Sequence, residues 1–263
     1  MKVPVFLHHH ISYNNYSPEN FEAELKYLKE NGYKTLSLSE LSDFLSGKKK
    51  YDKSLMLTFD DGYADNYICA YPLLKKYGYN AVVFISTSYI SDGSPRKTIS
   101  EGAEIPKITR ENERIPDGFL RWSELEIMLS NRVFEVGSHT QSHKKFNKRA
   151  EYENLEEELS LSKKIIKEKL KVEANSLAWP WGHFNQDYIE IAKKCGYELI
   201  FTTITGSVKA NDNPLEIKRI NVLPHRNPSW FKNRLKLHTF PIISDIYPKV
   251  YGIDRIIKKK WKR

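Results

Sequence analysis

The sequence predicts an α/β domain, a parallel sheet covered by helices, with the count of strand-helix pairs favouring closure into a barrel over an open sheet. Short apolar runs rich in β-branched residues alternate with amphipathic segments of helical length along most of the 263 residues. Polar clusters fall directly after several of those apolar runs, where parallel folds gather their chemistry. No internal repeat, low-complexity segment or convincing linker interrupts the pattern, so one domain is expected over 1–245, followed by a basic tail over 246–263.

The elements follow in order. Residues 3–7 read as a strand running into His8, His9 and His10, native residues at a strand end rather than a remnant of a purification tag. Ser17-Pro18 supplies an N-cap and a first-turn proline, Phe21, Leu25 and Leu28 share one helical face, and Gly32 closes the helix. A strand over 35–38, a short helix over 40–45 and a solvated loop at Lys48-Lys49-Lys50 come next. The apolar run Leu55 to Phe59 is a buried strand, and the helix over 65–77 ends at Gly78 before a strand over 81–85.

From 91 to 118 the periodicity fails. Prolines at 95, 106 and 116 and glycines at 93, 102 and 118 mark a long insertion, either a functional lid or a disordered excursion. Order returns with a helix over 123–129, a strand over 133–136, a charged helix over 151–170 and a strand over 176–179. A helix over 186–195, closed by Gly196, and a strand over 199–203 complete the alternation. A late strand carries Lys218-Arg219-Ile220-Asn221-Val222, and the run after Pro228 looks helical.

Composition narrows the function classes. At 40% hydrophobic residues the chain can bury a large core. Cys69 and Cys195 lie in helical patterns beside apolar residues and read as buried free thiols, not a bridge or a metal pair. Neither a signal-peptide run at the start nor a stretch of roughly 18 apolar residues is seen, so a cytoplasmic protein is expected. The net charge of +9 does not imply nucleic acid, because much of the excess is packed into the tail, where Lys249, Arg255, Lys258, Lys259, Lys260, Lys262 and Arg263 face only Asp254. With Ile253, Ile256, Ile257 and Trp261 among the charges, the tail reads either as a solvated end or as a peripheral contact for the anionic inner face of a membrane.

Three clusters carry chemistry. The strand ending at Phe59 delivers Asp60-Asp61-Gly62, two adjacent carboxylates that repel unless a cation or strong hydrogen bonds hold them ionised. A capped strand-to-helix turn is the plainer reading of these three residues alone. The strand ending at Val136 delivers Gly137-Ser138-His139-Thr140-Gln141-Ser142-His143, in which two histidines four apart on a helical turn or loop can reach one divalent ion. With a carboxylate from the first cluster they make a two-histidine, one-carboxylate site with open positions. The third cluster, Trp179-Pro180-Trp181-Gly182, offers indole walls for a sugar face or an acetyl methyl, or simply core tryptophans beside a turn.

Taken together these residues resemble the polysaccharide deacetylases of carbohydrate esterase family 4, the NodB homology domain. Thr58-Phe59-Asp60-Asp61-Gly62 matches that family's first motif, Ser138-His139-Thr140-Gln141-Ser142-His143 its second, and Trp179-Pro180-Trp181-Gly182 is similar to its third. The Leu7-His8-His9-His10-Ile11 beginning and the run from Ser17 to Tyr33 look like the subgroup of poly-N-acetylglucosamine deacetylases. The resemblance implies a single-domain, distorted (β/α) barrel that removes an acetyl group from an N-acetylated sugar or glycan by metal-assisted hydrolysis. It implies Asp61, His139 and His143 as metal ligands, Asp60 as general base, and Tyr63, Trp179, Pro180 and Trp181 as substrate contacts, with a backbone N–H near Tyr63 helping to stabilise the oxyanion. Zn²⁺ is the default for two imidazoles and a carboxylate, with Co²⁺, Ni²⁺ or Fe²⁺ also fitting.

The resemblance fails at two places. Many members carry an arginine two residues before the third-motif proline to orient the base, and here that position is Ala178. Arg219 reaches the same place from a late strand or lies on the surface. The fifth-motif histidine, which protonates the leaving amine, is matched in letters by Leu235-Lys236-Leu237-His238, but in a helix-like context; His225 and His9 are rivals. An intracellular N-deacetylase is therefore expected. The alternatives are an inactive carbohydrate-binding member of the same fold, or a metal hydrolase of a non-sugar amide or O-acetyl ester.

Overall fold

The computed structural model describes residues 1–105, 116–146, 154–224 and 226–239. Nine strands occur among them: β1 (Lys2–His8), β2 (Lys34–Thr35), β3 (Ser54–Phe59), β4 (Ala81–Ile85), β5 (Phe134–Ser138), β6 (Ser176–Ala178), β7 (Leu199–Thr205), β8 (Ser207–Lys209) and β9 (Ile217–Asn221). The helices are α1 (Pro18–Glu30), α2 (Leu38–Leu45), α3 (Tyr71–Tyr77), α4 (Trp122–Ser130), α5 (Leu155–Leu170), α6 (Gln186–Lys194) and α7 (Pro228–Thr239). The sheet runs β2-β3-β4-β5-β6-β7-β9-β1-β8, and β1 also pairs with β3, so the parallel strands close on themselves. A barrel with β2 and the antiparallel β8 as side pieces results.

Alternation along each strand sorts the core into two layers. Phe6, Leu57 and Phe59 point outward into a core shared with α1, α3 and α4, alongside Phe21, Leu25, Leu28, Leu74 and Leu125. Val3, Val5, Met56, Val82, Phe84 and Phe201 fill the barrel interior, where Leu41, Phe44 and Leu45 of α2 pack among them.

Local signals explain the helix ends. The Ser17 side chain accepts from the Asn20 N–H and Pro18 opens α1. Ser37 and Glu40 form a reciprocal capping box. That box starts α2 at Leu38, so the strand expected over 35–38 shrinks to Lys34–Thr35. The helix expected over 65–77 begins as a π-helical turn, Asn66–Ala70, before α3, and Gly78 ends α3 in the left-handed conformation.

The insertion expected over 91–118 is packed along its described flanks. Arg96 donates through Nε and Nη2 to the two oxygens of buried Glu124, both at 2.7 Å, and through Nη1 and Nη2 to the carbonyls of Asp117 and Phe119. Its far end returns beside the first motif, where Ala64 N–H meets the Gly118 carbonyl at 2.8 Å and Phe119 stacks on Tyr63. Both cysteines are free, Cys69 buried and Cys195 half-buried. Among the described residues no helix is long and apolar enough to cross a membrane. His225 and the basic tail over 246–263 lie outside the described residues.

Candidate active site

Register brings the first cluster together. His8 pairs with Phe59 across β1 and β3, and the Asp60 N–H continues the ladder to the His8 carbonyl at 3.0 Å. His9 and Asp60 therefore leave neighbouring strands on the inward face, above Leu7 and Thr58. The chain then turns sharply, with Asp61 at φ 74° and Gly62 at φ 77°. An aspartate is among the few side chains that enter this region readily, and here the turn carries the Asp61 carboxylate away from that of Asp60.

The histidines come from the end of β5. A helical turn was one of two ways to bring them together, and the chain takes the other, a loop in which Thr140 and His143 are left-handed at φ 65° and 55°. His139 Nε2 and His143 Nε2 lie 3.1 and 2.9 Å from Asp61 Oδ1. That oxygen is buried, yet neither approach has hydrogen-bond geometry. Three donor atoms, one each from Asp61, His139 and His143, thus converge within 4.8 Å of one another, which is the arrangement of a site for a divalent cation. His139 Nδ1 lies 2.8 Å from the Ala178 carbonyl. That contact assigns its proton to Nδ1 and leaves the Nε2 lone pair turned to the cluster. The residues fit the group.

Arg219 is not on the surface. It is about 1% exposed, and its guanidinium forks onto Asp60 through Nη1 to Oδ1 at 2.7 Å and Nη2 to Oδ2 at 2.8 Å. Nε donates to the Thr202 carbonyl at 2.9 Å, and the group lies over the rings of Phe84 and Phe201. Burial pushes the Asp60 carboxyl up, but the Arg219 charge beside it more than compensates, and its pKa is lowered. Burial acts likewise on Asp61, where contact with His139 and His143 prevails and holds the pKa well below the usual carboxylate range. For His139, burial favours the neutral form, but Asp60 and Asp61 outweigh it and raise the pKa.

Asp60, Asp61, His139 and His143 line a cavity of about 300 Å³ together with Leu7, His9, Tyr63, Trp179, Trp181, Thr203 and Asn221. The Asn66 side chain donates to the His9 carbonyl at 2.8 Å and to Asp65 at 3.0 Å, so the π-helical turn fixes the strand end carrying His9. Burial lowers the His9 pKa, opposed by the charges of Asp61 and Asp60. Trp181, about 50% exposed, stands at the rim beside His143. The turn before Gly182 has no space for another residue type there, since a Cβ at position 182 would meet the Thr203 side chain at 2.1 Å.

Three expected residues do not line the cavity: Arg219, which lies behind Asp60, Pro180 and His238. Pro180 is buried, opens the short 3₁₀ turn and only shapes the position of its neighbours. His238 is buried on α7, with Nδ1 3.0 Å from the Ser207 hydroxyl, which itself donates to the His238 carbonyl. Ser207 pairs with Pro4 of β1, five residues before His9. At about 3.3 Å per residue Pro4 lies roughly 16 Å from His9 along β1, so Ser207 and the His238 bonded to it stand toward the opposite mouth of the barrel. Thr203 and Asn221 line the cavity and were missed. Alternation along β7 and β9 was the signal that would have found them.

Comparison with known proteins agrees with this geometry. Residues 47–200 match the polysaccharide deacetylase family. The chain belongs to that family. It is 29% identical over 234 residues to YxkH of Bacillus subtilis (strain 168), covering 88% of this chain and 75% of that one. It is 26% identical over 215 residues to the poly-beta-1,6-N-acetyl-D-glucosamine N-deacetylase of Escherichia coli (strain K12), covering 72% of this chain but only 31% of that enzyme. Among solved structures it is similar to the Streptococcus pyogenes deacetylase PplD in complex with acetate, with a TM-score of 0.73, 25% identity, and 89% and 98% of the two chains covered.

Proposed function

We propose that this polysaccharide deacetylase family member is a metal-dependent hydrolase that removes the acetyl group from an acetamido sugar, releasing acetate and a free amine. One observation carries the reading: a carboxylate held ionised and oriented by a buried arginine stands next to a separate cluster of Asp61, His139 and His143. The two adjacent aspartates thereby take different roles. Asp61, His139 and His143 would hold a divalent cation, which would supply Lewis-acid chemistry, an acidified water and a polarised amide carbonyl. Zn²⁺ suits two imidazoles and a carboxylate best, and Co²⁺, Ni²⁺ and Fe²⁺ accept the same ligands.

Asp60 takes the proton from the attacking water, and the Arg219 fork fixes the direction in which its free lone pairs point. His9 returns a proton to the departing nitrogen. It lines the cavity beside Asp60, and its lowered pKa makes it a ready donor once charged. Trp179 and Leu7 supply apolar wall suited to the acetyl methyl, while Trp181 and Tyr63 offer rings to a sugar face. Similarity to a deacetylase in complex with acetate supports acetate as the product, and similarity to an enzyme named for poly-N-acetylglucosamine supports a glycan substrate. The basic tail over 246–263 is proposed as a peripheral contact for an anionic membrane, testable by deleting residues 249–263 and measuring binding to anionic vesicles.

Acetate release from N-acetylated oligosaccharides by metal-loaded protein, with metal content measured in parallel, tests the reading. Metal-loaded protein inert on a broad panel of N-acetylated sugars, but active on O-acetyl esters or simple amides, contradicts it. An inactive carbohydrate-binding member has no need of Asp60, Asp61, His139 and His143 together with a buried arginine on the base.

A further inference from the structure

The three candidate metal ligands come from strands that are not neighbours. Asp61 follows β3 and the two histidines follow β5, with β4 between them. Strands two places apart in a sheet are roughly 10 Å from one another, yet the three donor atoms lie within 4.8 Å. Both loops close over the end of β4. A Cβ at Gly62 would meet the Ile85 side chain at 3.0 Å, and the His139 N–H donates to the Ile85 carbonyl at 2.8 Å. On the histidine side the loop after β4 holds the chain: Ser88 donates through N–H and Oγ to the Gln141 carbonyl at 2.9 and 2.7 Å, and the Tyr89 hydroxyl donates to the Ser142 carbonyl at 3.4 Å. On the carboxylate side the returning end of the insertion holds it. Leu120 N–H donates to the Gly62 carbonyl and Ala64 N–H to the Gly118 carbonyl, both at 2.8 Å, an antiparallel bridge centred on Tyr63 and Phe119. The bridge starts one residue after Asp61, which is itself held at positive φ.

One side chain touches both halves. Phe119, about 2% exposed, stacks on Tyr63 with centroids 5.2 Å apart and planes inclined by 21°, and on Tyr89 at 4.6 Å and 17°. Tyr63 stands two residues after Asp61, and Tyr89 is bonded to the residue before His143. Each contact has a fixed backing. The Tyr63 ring also stacks on His10 at 3.6 Å, and His10 Nδ1 lies 2.7 Å from buried Asp65 Oδ2. Arg96 Nη2 donates to the Phe119 carbonyl at 2.6 Å while the same guanidinium is forked on buried Glu124. A rigid ring between fixed neighbours transmits spacing, because close-packed interiors leave no slack to absorb it.

We propose that Phe119 is a positioning residue of the metal site: keyed to the loop of Asp61 through Tyr63 and to the loop of His143 through Tyr89, it sets the spacing at which their donor atoms meet. The inference rests on the metal-dependent reading above. It ties the returning flank of the insertion, anchored by Arg96, to metal affinity.

The test is the zinc dissociation constant, measured by competition with a chromogenic chelator, for wild type, Phe119→Ala, Phe119→Tyr and Tyr89→Ala, each shown to be folded by circular dichroism. Phe119→Ala should weaken zinc binding by about 10- to 100-fold, the range for residues that orient metal ligands, and Phe119→Tyr, which keeps the ring, should stay within about threefold of wild type. Tyr89→Ala, at a half-buried position on the other side of the contact, should weaken zinc binding several-fold and serves if Phe119→Ala does not fold. The visible spectrum of the Co²⁺-loaded protein reports ligand geometry; it should change in Phe119→Ala and not in Phe44→Leu, a truncation in the core beside α2 that costs stability alone. Zinc affinity and Co²⁺ spectra unchanged in the folded Phe119 and Tyr89 variants overturn this inference alone. A wild type that binds no zinc overturns the metal-dependent reading and the inference with it.

Discussion

Arg219 and Asp60, 159 residues apart in sequence, meet through two parallel hydrogen bonds of 2.7 and 2.8 Å inside the barrel. The guanidinium is seated on Phe84 and Phe201, so the apolar plug of the barrel positions the arginine and the arginine positions the carboxylate. Arg219→Lys keeps a charge but loses the fork, and turnover should fall by about 10- to 100-fold with metal content unchanged. Arg219→Met leaves a buried carboxylate unpaired and should destabilise the protein by about 3–5 kcal/mol in urea unfolding. Burial then acts on Asp60 unopposed, its pKa rises, and the acid limb of the pH-rate profile moves to higher pH.

Metal should be lost when any one of the three converging donors is removed. Asp61→Ala, His139→Ala and His143→Ala should each purify with little bound metal by elemental analysis. Chelation of the wild-type protein should lower its melting temperature, since a ligand present at a hundred times its Kd stabilises the folded state by about 2.7 kcal/mol. Equal melting temperatures with and without chelator would contradict the site.

His9→Gln should retain metal and lose turnover, because the imidazole lines the cavity without belonging to the metal cluster. The loss should be about 100-fold, in the usual range for a general acid. Loss of metal in this variant would show that His9 belongs to the cluster instead.

At the opposite mouth, His238 should make stability depend on pH. Burial lowers its pKa from 6.5 to about 4, with Arg234 and Lys2 adding to the effect. Between those values the unfolded chain takes up a proton that the folded chain refuses, so stability is full above pH 6.5 and falls as pH drops toward 4. The shift corresponds to about 3 kcal/mol. His238→Asn should flatten unfolding free energies measured between pH 7 and pH 4.5 while leaving turnover near the wild-type value.

Much of this site was legible because its residues stand in short strand-end motifs. Asp60-Asp61-Gly62 and His139 to His143 follow apolar runs, and local sequence is enough to place them at one end of a parallel sheet. Arg219 was ambiguous for the opposite reason. Its partner is fixed by barrel closure, a long-range event that leaves no trace in the neighbouring letters. His238 shows the reverse error, a four-residue match to a catalytic motif that lies on α7 and so faces a different end of the barrel. The short β2 and β8 escaped notice or were misjudged because two or three residues carry no periodicity. His10 was read only as one of three histidines, and its pairing with Asp65 depends on the π-helical turn that lifts Asp65 and Asn66 against the end of β1.

The central claim is that the two adjacent aspartates have separate duties, and Asp60→Asn tests it most directly. Metal content and acetate release should be measured on the same zinc-loaded preparations of wild type and variant. The account predicts stoichiometric metal in both and loss of turnover by at least about 100-fold in the variant. Full activity in Asp60→Asn, or loss of its metal, would contradict the assignment of Asp60 as base and of Asp61, His139 and His143 as the ligand set.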